Sequence, residues 1–130
     1  MNPGVVEALL REQGLSITGP RRAIVSYLHD NPNHPTAAQV HADVSRACPG
    51  LSRATVYNTL TLLVELGALR ALRQAGRDTR FDPKREPHHH QACPSCGALT
   101  DIPVEEVEVR WNGMAAPAEV RILMPCERCA

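Results

Sequence analysis

Two Cys-x-x-Cys pairs, Cys93-Pro94-Ser95-Cys96 and Cys126-Glu127-Arg128-Cys129, stand 30 residues apart in a chain of 130. A two-residue gap lets both sulfurs of a pair face one ion from a knuckle turn, and two such pairs complete a tetrahedral four-thiolate zinc site. Gly97 follows the first pair, where a knuckle turn favours positive φ. A four-thiolate site leaves no position for substrate, so its role is structural, and its binding free energy, on the order of 10 kcal/mol, is folding free energy. The last strand of the chain would thereby be tied to an earlier one. The competing reading is a redox pair or unrelated cysteines. Cys48, the fifth cysteine, falls near a helix end and reads as an ordinary, partly buried residue.

This length accommodates one domain or two small ones. Hydrophobic residues reach 43% but aromatics only 3%, so each half has a thin core and gains from a metal staple or a dimer partner. No apolar run approaches the roughly 18 residues of a membrane span. The first ten residues lack the basic region of a signal peptide, so the expected location is the cytoplasm, with cysteines kept as thiols or metal ligands. The net charge is zero, yet it is polarised. Residues 1–80 carry nine arginines against six acidic residues, and residues 81–130 carry five basic against eight acidic. A basic front thus precedes an acidic back that holds the histidine and cysteine motifs.

The front half reads as helical. A short amphipathic helix spans Val5 to Gln13 and stops at Gly14; Pro20 in a first turn opens a second, to His29. Thr36 with Gln39 forms a capping box for a helix to about Cys48, ended by Pro49-Gly50. Ser52 caps a longer helix to Leu66, with Val56, Leu60, Leu63 and Val64 on one face and Gly67 as its stop. The period then changes: Ala68–Arg73 and Thr79–Asp82 flank a glycine-containing turn, a β-hairpin. Helices followed by a hairpin outline a winged helix-turn-helix. Residues 83–87, charged and bracketed by prolines, read as a hinge linker. Beyond it His88–Ala92, Ala98–Ile102 and Val120–Met124 are candidate strands and Val104–Trp111 a candidate helix. The expected fold class is therefore α+β, with a winged-helix domain over 1–82 and a small α/β domain over 88–130.

Within the run His88-His89-His90, strand alternation points His88 and His90 to one face and His89 to the other. Asp82 ends the wing, Asp101 lies on the next strand and His34 precedes the third helix. Taken singly, each reads equally well as a surface histidine or acid.

The sequence His34-Pro35-Thr36-Ala37, then Ser52-Arg53-Ala54-Thr55-Val56-Tyr57-Asn58-Thr59-Leu60, then Arg80-Phe81-Asp82, then His88-x-His90-x-x-Cys93-x-x-Cys96-Gly97 and the terminal Cys-x-x-Cys resembles, in order and spacing, the ferric uptake regulator family. The resemblance covers nearly the whole chain. It implies a homodimeric winged-helix repressor that binds a double-stranded DNA operator, with a structural Zn2+ on Cys93, Cys96, Cys126 and Cys129 and a small dimerisation domain. It places a regulatory Fe2+ or Mn2+, with Zn2+ as a further option, on His34, Asp82, His88, His90 and Asp101, a ligand set that does not by itself choose among these ions. Aspartate at 101 resembles the peroxide-responsive branch; glutamate is usual in iron-uptake regulators. In that branch bound iron reduces peroxide and a ligand histidine is oxidised, here His34 or His88. Iron-, manganese- or zinc-responsive uptake control is the alternative. The chain departs from the family in a shortened stretch between Cys96 and Cys126, in Ala118 where a histidine of an accessory metal site is usual, with Glu119 beside it, and in His89 where an acid is common.

On the recognition helix Tyr57 is the candidate for reading base edges or a thymine methyl, with Ser52, Arg53, Thr55 and Asn58 on the same exposed side. Arg21, Arg22, Arg73, Arg77 and Arg80 read as DNA-backbone contacts. No catalytic residues are assigned. A non-haem iron enzyme would need open metal positions, which five protein ligands scarcely leave, and a zinc-ribbon interaction module would need neither Tyr57 nor a basic front.

Overall fold

The computed structural model describes residues 1–29, 31–84, 86–110, 112–113 and 119–130. Contacts divide the chain into two compact units, Met1–Arg85 and Glu86–Ala130.

The first unit holds four helices and a hairpin: α1 (Pro3–Glu12), α2 (Gly19–Leu28), α3 (Ala37–Val44), α4 (Arg53–Glu65), β1 (Arg70–Leu72) and β2 (Arg80–Asp82). Local chemistry sets the helix starts. The Thr18 and Ser52 side chains accept from the main-chain N–H groups of Arg21 and Thr55, and Thr36 and Gln39 form the reciprocal capping box. α3 ends at Val44, short of the predicted Cys48, because Ala47 and Cys48 both turn back to the Val44 carbonyl. α4 buries Val56, Thr59, Leu60 and Leu63, while Val64 only packs against the core edge. These residues meet Val6, Leu10, Ile24, Val25, Leu28 and Val40 in one apolar core that reaches Phe81. Each such side chain contributes about 1.5–3 kcal/mol by leaving water. The strands pair antiparallel with Arg70 opposite Asp82 and Leu72 opposite Arg80, and Gly76, at φ +70, lets the wing tip turn.

The second unit is a three-stranded sheet in the order β4 (Leu99–Ile102), β3 (His89–Ala92), β5 (Arg121–Leu123). β3 runs antiparallel to β4, with His90 opposite Asp101, and parallel to β5, with His90 opposite Arg121. The helix predicted over Val104–Trp111 is a correction: a single 3-10 turn spans Val104–Glu106, and Val107 is already extended. Val107 and Val109 alternate with Glu106 and Glu108, a period of two that β-branched side chains reinforce. Trp111 lies outside the described residues, as does Ala118.

Candidate metal centres and nucleic-acid interface

The four thiols of Cys93, Cys96, Cys126 and Cys129 gather with all sulfurs within 4.8 Å of one another. Two turns create this. Gly97, at φ +77, closes the first knuckle by donating to the Cys93 carbonyl at 2.8 Å, and Cys129 closes the second on the Cys126 carbonyl at 2.9 Å. Cys96 and Cys126 sulfurs stand 3.7 Å apart. That matches the edge of a tetrahedron with metal–sulfur bonds of about 2.3 Å, roughly 3.8 Å, and is far from a disulfide bond. Main-chain N–H groups of Cys96 and Cys126 hold the Cys93 thiol down to about 6, while the neighbouring thiols, Cys126 first, push Cys129 up to about 12. Four sulfurs this close cannot all carry charge unaided; a soft divalent cation resolves the conflict, so the donor set fits Zn2+. Cys48 is remote from this cluster in sequence and packs against the core of the first unit, half-buried.

In the first unit, His34 and Asp82 are buried with their side chains facing each other, Nε2 to Oδ2 at 3.8 Å. That separation is too long for a hydrogen bond. Asp82 is fixed by the Lys84 N–H, which donates to Oδ1 at 2.9 Å and leaves Oδ2 toward His34. His34 adopts φ +50, a left-handed conformation that costs a non-glycine residue of order 1–3 kcal/mol and persists only where the surroundings impose it. They do so here. Phe81 donates its N–H to the Pro35 carbonyl at 2.9 Å, Thr36 bridges Arg80, and the Arg80 guanidinium donates to the His34 carbonyl at 3.1 Å. Arg80, read from the sequence as a DNA-backbone contact, stitches the His34 loop to the wing strand in this structure.

In the second unit, the Nε2 atoms of His88 and His90 converge on one oxygen of Asp101, at 3.4 and 3.3 Å. The rings stand edge to face, centroids 4.7 Å apart. Each ring is held from behind: His88 Nδ1 lies 2.7 Å from the Glu86 carbonyl, and His90 Nδ1 lies 2.9 Å from Glu119 Oε1. A carbonyl and a carboxylate only accept, so in the neutral rings both Nδ1 atoms carry the proton and both Nε2 lone pairs face the Asp101 carboxylate. Lone pairs aimed at a carboxylate ask for a cation between them, and imidazole with carboxylate suits iron(II), manganese(II) or zinc. His89 turns elsewhere: its Nδ1 accepts the Val120 N–H at 3.0 Å, which commits it to joining β3 to the approach of β5. Glu119 and Arg80 were not assigned these roles from sequence. Their partners lie 29 and 46 residues away, and no local pattern signals either pairing.

On the first unit, Tyr57 is 57% exposed on α4, beside exposed Arg53 and Asn58, so it is not a core aromatic. The Ser52 and Thr55 hydroxyls hydrogen-bond each other at 2.9 Å at the helix start. Arg22, Arg73 and Arg77 are exposed, whereas Arg21 is half-buried and donates to the Ser16 carbonyl at 3.0 Å.

A winged helix-turn-helix unit joined to a small unit built on a three-stranded sheet, with a four-thiol cluster and imidazole–carboxylate groups, defines the class of metal-responsive DNA-binding regulators. The family's sequence model matches residues 12–124, and the chain belongs to the ferric uptake regulator family. It is 36% identical over 104 residues, 78% of its own length, to the peroxide-responsive repressor PerR of Staphylococcus epidermidis. Such matches span about two thirds of the curated relatives, 69% in that case. The structure of PerR from Streptococcus pyogenes, described as a basis for peroxide sensing and gene regulation, is 28% identical with a TM-score of 0.59, covering 98% of this chain and 92% of that one. The ferric uptake regulator of Helicobacter pylori, reported with three functional metal-binding sites, superposes with a TM-score of 0.77 at 16% identity, covering 97% of this chain and 89% of that one; it shares the fold. Among the described residues, no helix is long and apolar enough to cross a membrane.

Proposed function

We propose that this chain is a cytoplasmic, homodimeric repressor that binds a DNA operator when metal-loaded and senses peroxide through oxidation of a ligand histidine. The observation that carries the reading is the convergence of His88 and His90 Nε2 on Asp101, with both Nδ1 atoms tied back. Each unit by itself presents its share of one ligand set: His34 and Asp82 from the first, His88, His90 and Asp101 from the second. One ion held by both shares would fix the angle between the units. In a two-fold dimer that angle sets the spacing of the two α4 helices, which must match major grooves about 34 Å apart. The bistable element is this angle, and ligand binding biases it.

The chain's own residues have separate tasks. Arg80 and the wing strand hold His34 in place. Asp82 and Asp101 supply the negative charge that retains a divalent cation. Tyr57, Arg53 and Asn58 face the operator, and Arg22, Arg73 and Arg77 its phosphates. Iron(II) held by His34, Asp82, His88, His90 and Asp101 would supply the chemistry that activates peroxide; the net change recorded in the chain would be one peroxide oxygen gained by the His34 or His88 ring, with the other leaving as water. Leu123 and Met124, 71% and 53% exposed on and beside the edge strand β5, are apolar surface suited to a second copy.

Two measurements test this. Operator binding should require a divalent metal beyond the zinc; equal binding with and without it would sink the repressor reading. Mass spectrometry after peroxide should find the added oxygen on the His34 or His88 peptide of iron-loaded protein and not of manganese-loaded protein. No addition with iron would move the assignment to metal-uptake control within the same family.

A further inference from the structure

We propose that Glu119 is a positioning residue for the His90 ligand and that β5 carries it there from the four-cysteine cluster. The inference rests on the reading of His90 as a regulatory ligand. Its geometry lies wholly within the second unit.

His90 is completely buried, and its two ring nitrogens have opposite surroundings. Nε2 faces Asp101 at 3.3 Å, and Nδ1 faces Glu119 at 2.9 Å. A carboxylate behind Nδ1 fixes the Nδ1–H tautomer, fixes the ring plane and makes Nε2 a stronger donor to a metal, the arrangement of a carboxylate–histidine–metal relay. Arg121 holds the same Glu119 oxygen with its Nε at 3.3 Å, which fixes where the carboxylate is aimed. His88 is oriented by a neutral carbonyl instead, so of the two imidazoles His90 is the one whose donor strength the chain tunes with charge.

Delivery follows from the sheet. Glu119 is 29 residues from His90, and the pairing of β3 with β5 brings it within reach. His90 donates its N–H to the Val120 carbonyl at 3.1 Å, Val120 donates to His89 Nδ1, and Met124 donates to the Ala92 carbonyl at 3.2 Å. Ala92 precedes Cys93, and Met124 stands two residues before Cys126. Both strands therefore run directly into the thiol cluster. Closing that cluster holds β5 in register and Glu119 on His90; opening it releases both. The zinc centre thus conditions the affinity of the regulatory centre through one carboxylate.

The test uses the full-length zinc-loaded protein and its Glu119→Gln and Glu119→Ala variants. Histidine-ring 15N NMR without a second metal should show His90 as the Nδ1–H tautomer in the parent protein and a shift toward the other tautomer in Glu119→Ala. Mn2+ titration should weaken by about 10–100-fold in Glu119→Ala and by less in Glu119→Gln, which keeps an acceptor and loses the charge. Cobalt(II) spectra of the regulatory site should change, with zinc content and secondary structure retained. An unchanged His90 tautomer together with parent-like Mn2+ affinity would overturn the assignment. If Glu119→Ala loses zinc, Glu119→Gln decides: parent-like affinity and cobalt spectrum overturn the proposal, weaker binding supports it. If the parent protein itself takes up neither Mn2+ nor Co2+ beyond zinc, the ligand reading of His90 fails, an outcome distinct from parent binding that the variants leave unaltered.

Discussion

The Arg80 guanidinium donates to the main-chain oxygen of His34 at 3.1 Å, and His34 sits at φ +50. A side chain on the wing strand therefore holds the backbone of a proposed metal ligand in a conformation it would otherwise leave. Asp82, the other proposed ligand of the first unit, lies two residues along the same strand. Arg80→Ala should lower Mn2+ affinity by about tenfold or more, as loss of an outer-shell partner does, and leave the helical core folded. The same variant separates this role from DNA contact. At saturating metal, Arg77→Ala should lower the salt slope of operator binding by about one, and Arg80→Ala should leave it unchanged. A slope reduced equally by both would return Arg80 to the phosphate-contacting set.

What the sequence made legible was local. The Thr36–Gln39 capping box, the Ser52 cap, the positive φ at Gly97 and the two Cys-x-x-Cys knuckles are each written within a few residues, where side chain and backbone meet without help from the fold. His34, Asp82, His88, His90 and Asp101 were nameable as one set only through family resemblance, because apart from the strand alternation of His88 and His90 nothing local joins them. Arg80 and Glu119 were not readable in their roles. An arginine on a wing reads as a phosphate contact until the strand is seen to turn it toward His34, and a glutamate before a short strand has no meaning until the register with β3 is known. The candidate helix over Val104–Trp111 fails for a local reason: after the single turn at Val104–Glu106, the valines at 107 and 109 alternate with charged residues, which is the pattern of an extended chain.

The two units differ in what stabilises them, and that yields a second prediction. The apolar core of the first unit runs from Val6 to Phe81, whereas the buried apolar residues described in the second are Ala92, Cys93 and Leu99. Three small contributions of at most about 1.5–3 kcal/mol each cannot order a three-stranded sheet, while closing a zinc site supplies on the order of 10 kcal/mol. Cys126→Ser, or a strong chelator, should abolish amide protection in β3, β4 and β5 and leave protection at Leu60 and Leu63. Hydrogen exchange read residue by residue checks this; protection retained in β3 without metal would show that the sheet stands without the clamp.

Tyr57 gives a third. The residue is 57% exposed and lies outside the packed core, so Tyr57→Ala should change folding stability by no more than about 0.5 kcal/mol. Operator affinity should fall by about 1–3 kcal/mol, the range of a direct base contact, with the loss confined to specific sequence. Tyr57→Phe then separates the ring from the hydroxyl. Equal loss on operator and on random DNA would assign Tyr57 to the backbone instead of the bases.

Tyr27 links α2 to α3 through a hydrogen bond donated to Asp43 Oδ2 at 2.6 Å. Burial first, and then that bond, push its hydroxyl up to about 12 from the ordinary 10.0. Below the lower value the folded and unfolded chains both keep the proton, and the interaction contributes in full. Between the two values the unfolded chain releases its proton while the folded one holds it, so this contribution is lost as pH rises from about 10 through about 12. Tyr27→Phe should cost about 1 kcal/mol at neutral pH, since the site is partly solvated, and the difference between parent and variant should shrink in that alkaline window. Urea midpoints of both proteins at about pH 7 and about pH 11 measure it, with the subtraction cancelling the titration of the thiols and lysine. A difference that stays constant, or grows, across that window would show that the Tyr27 proton is not held by Asp43 in the folded chain.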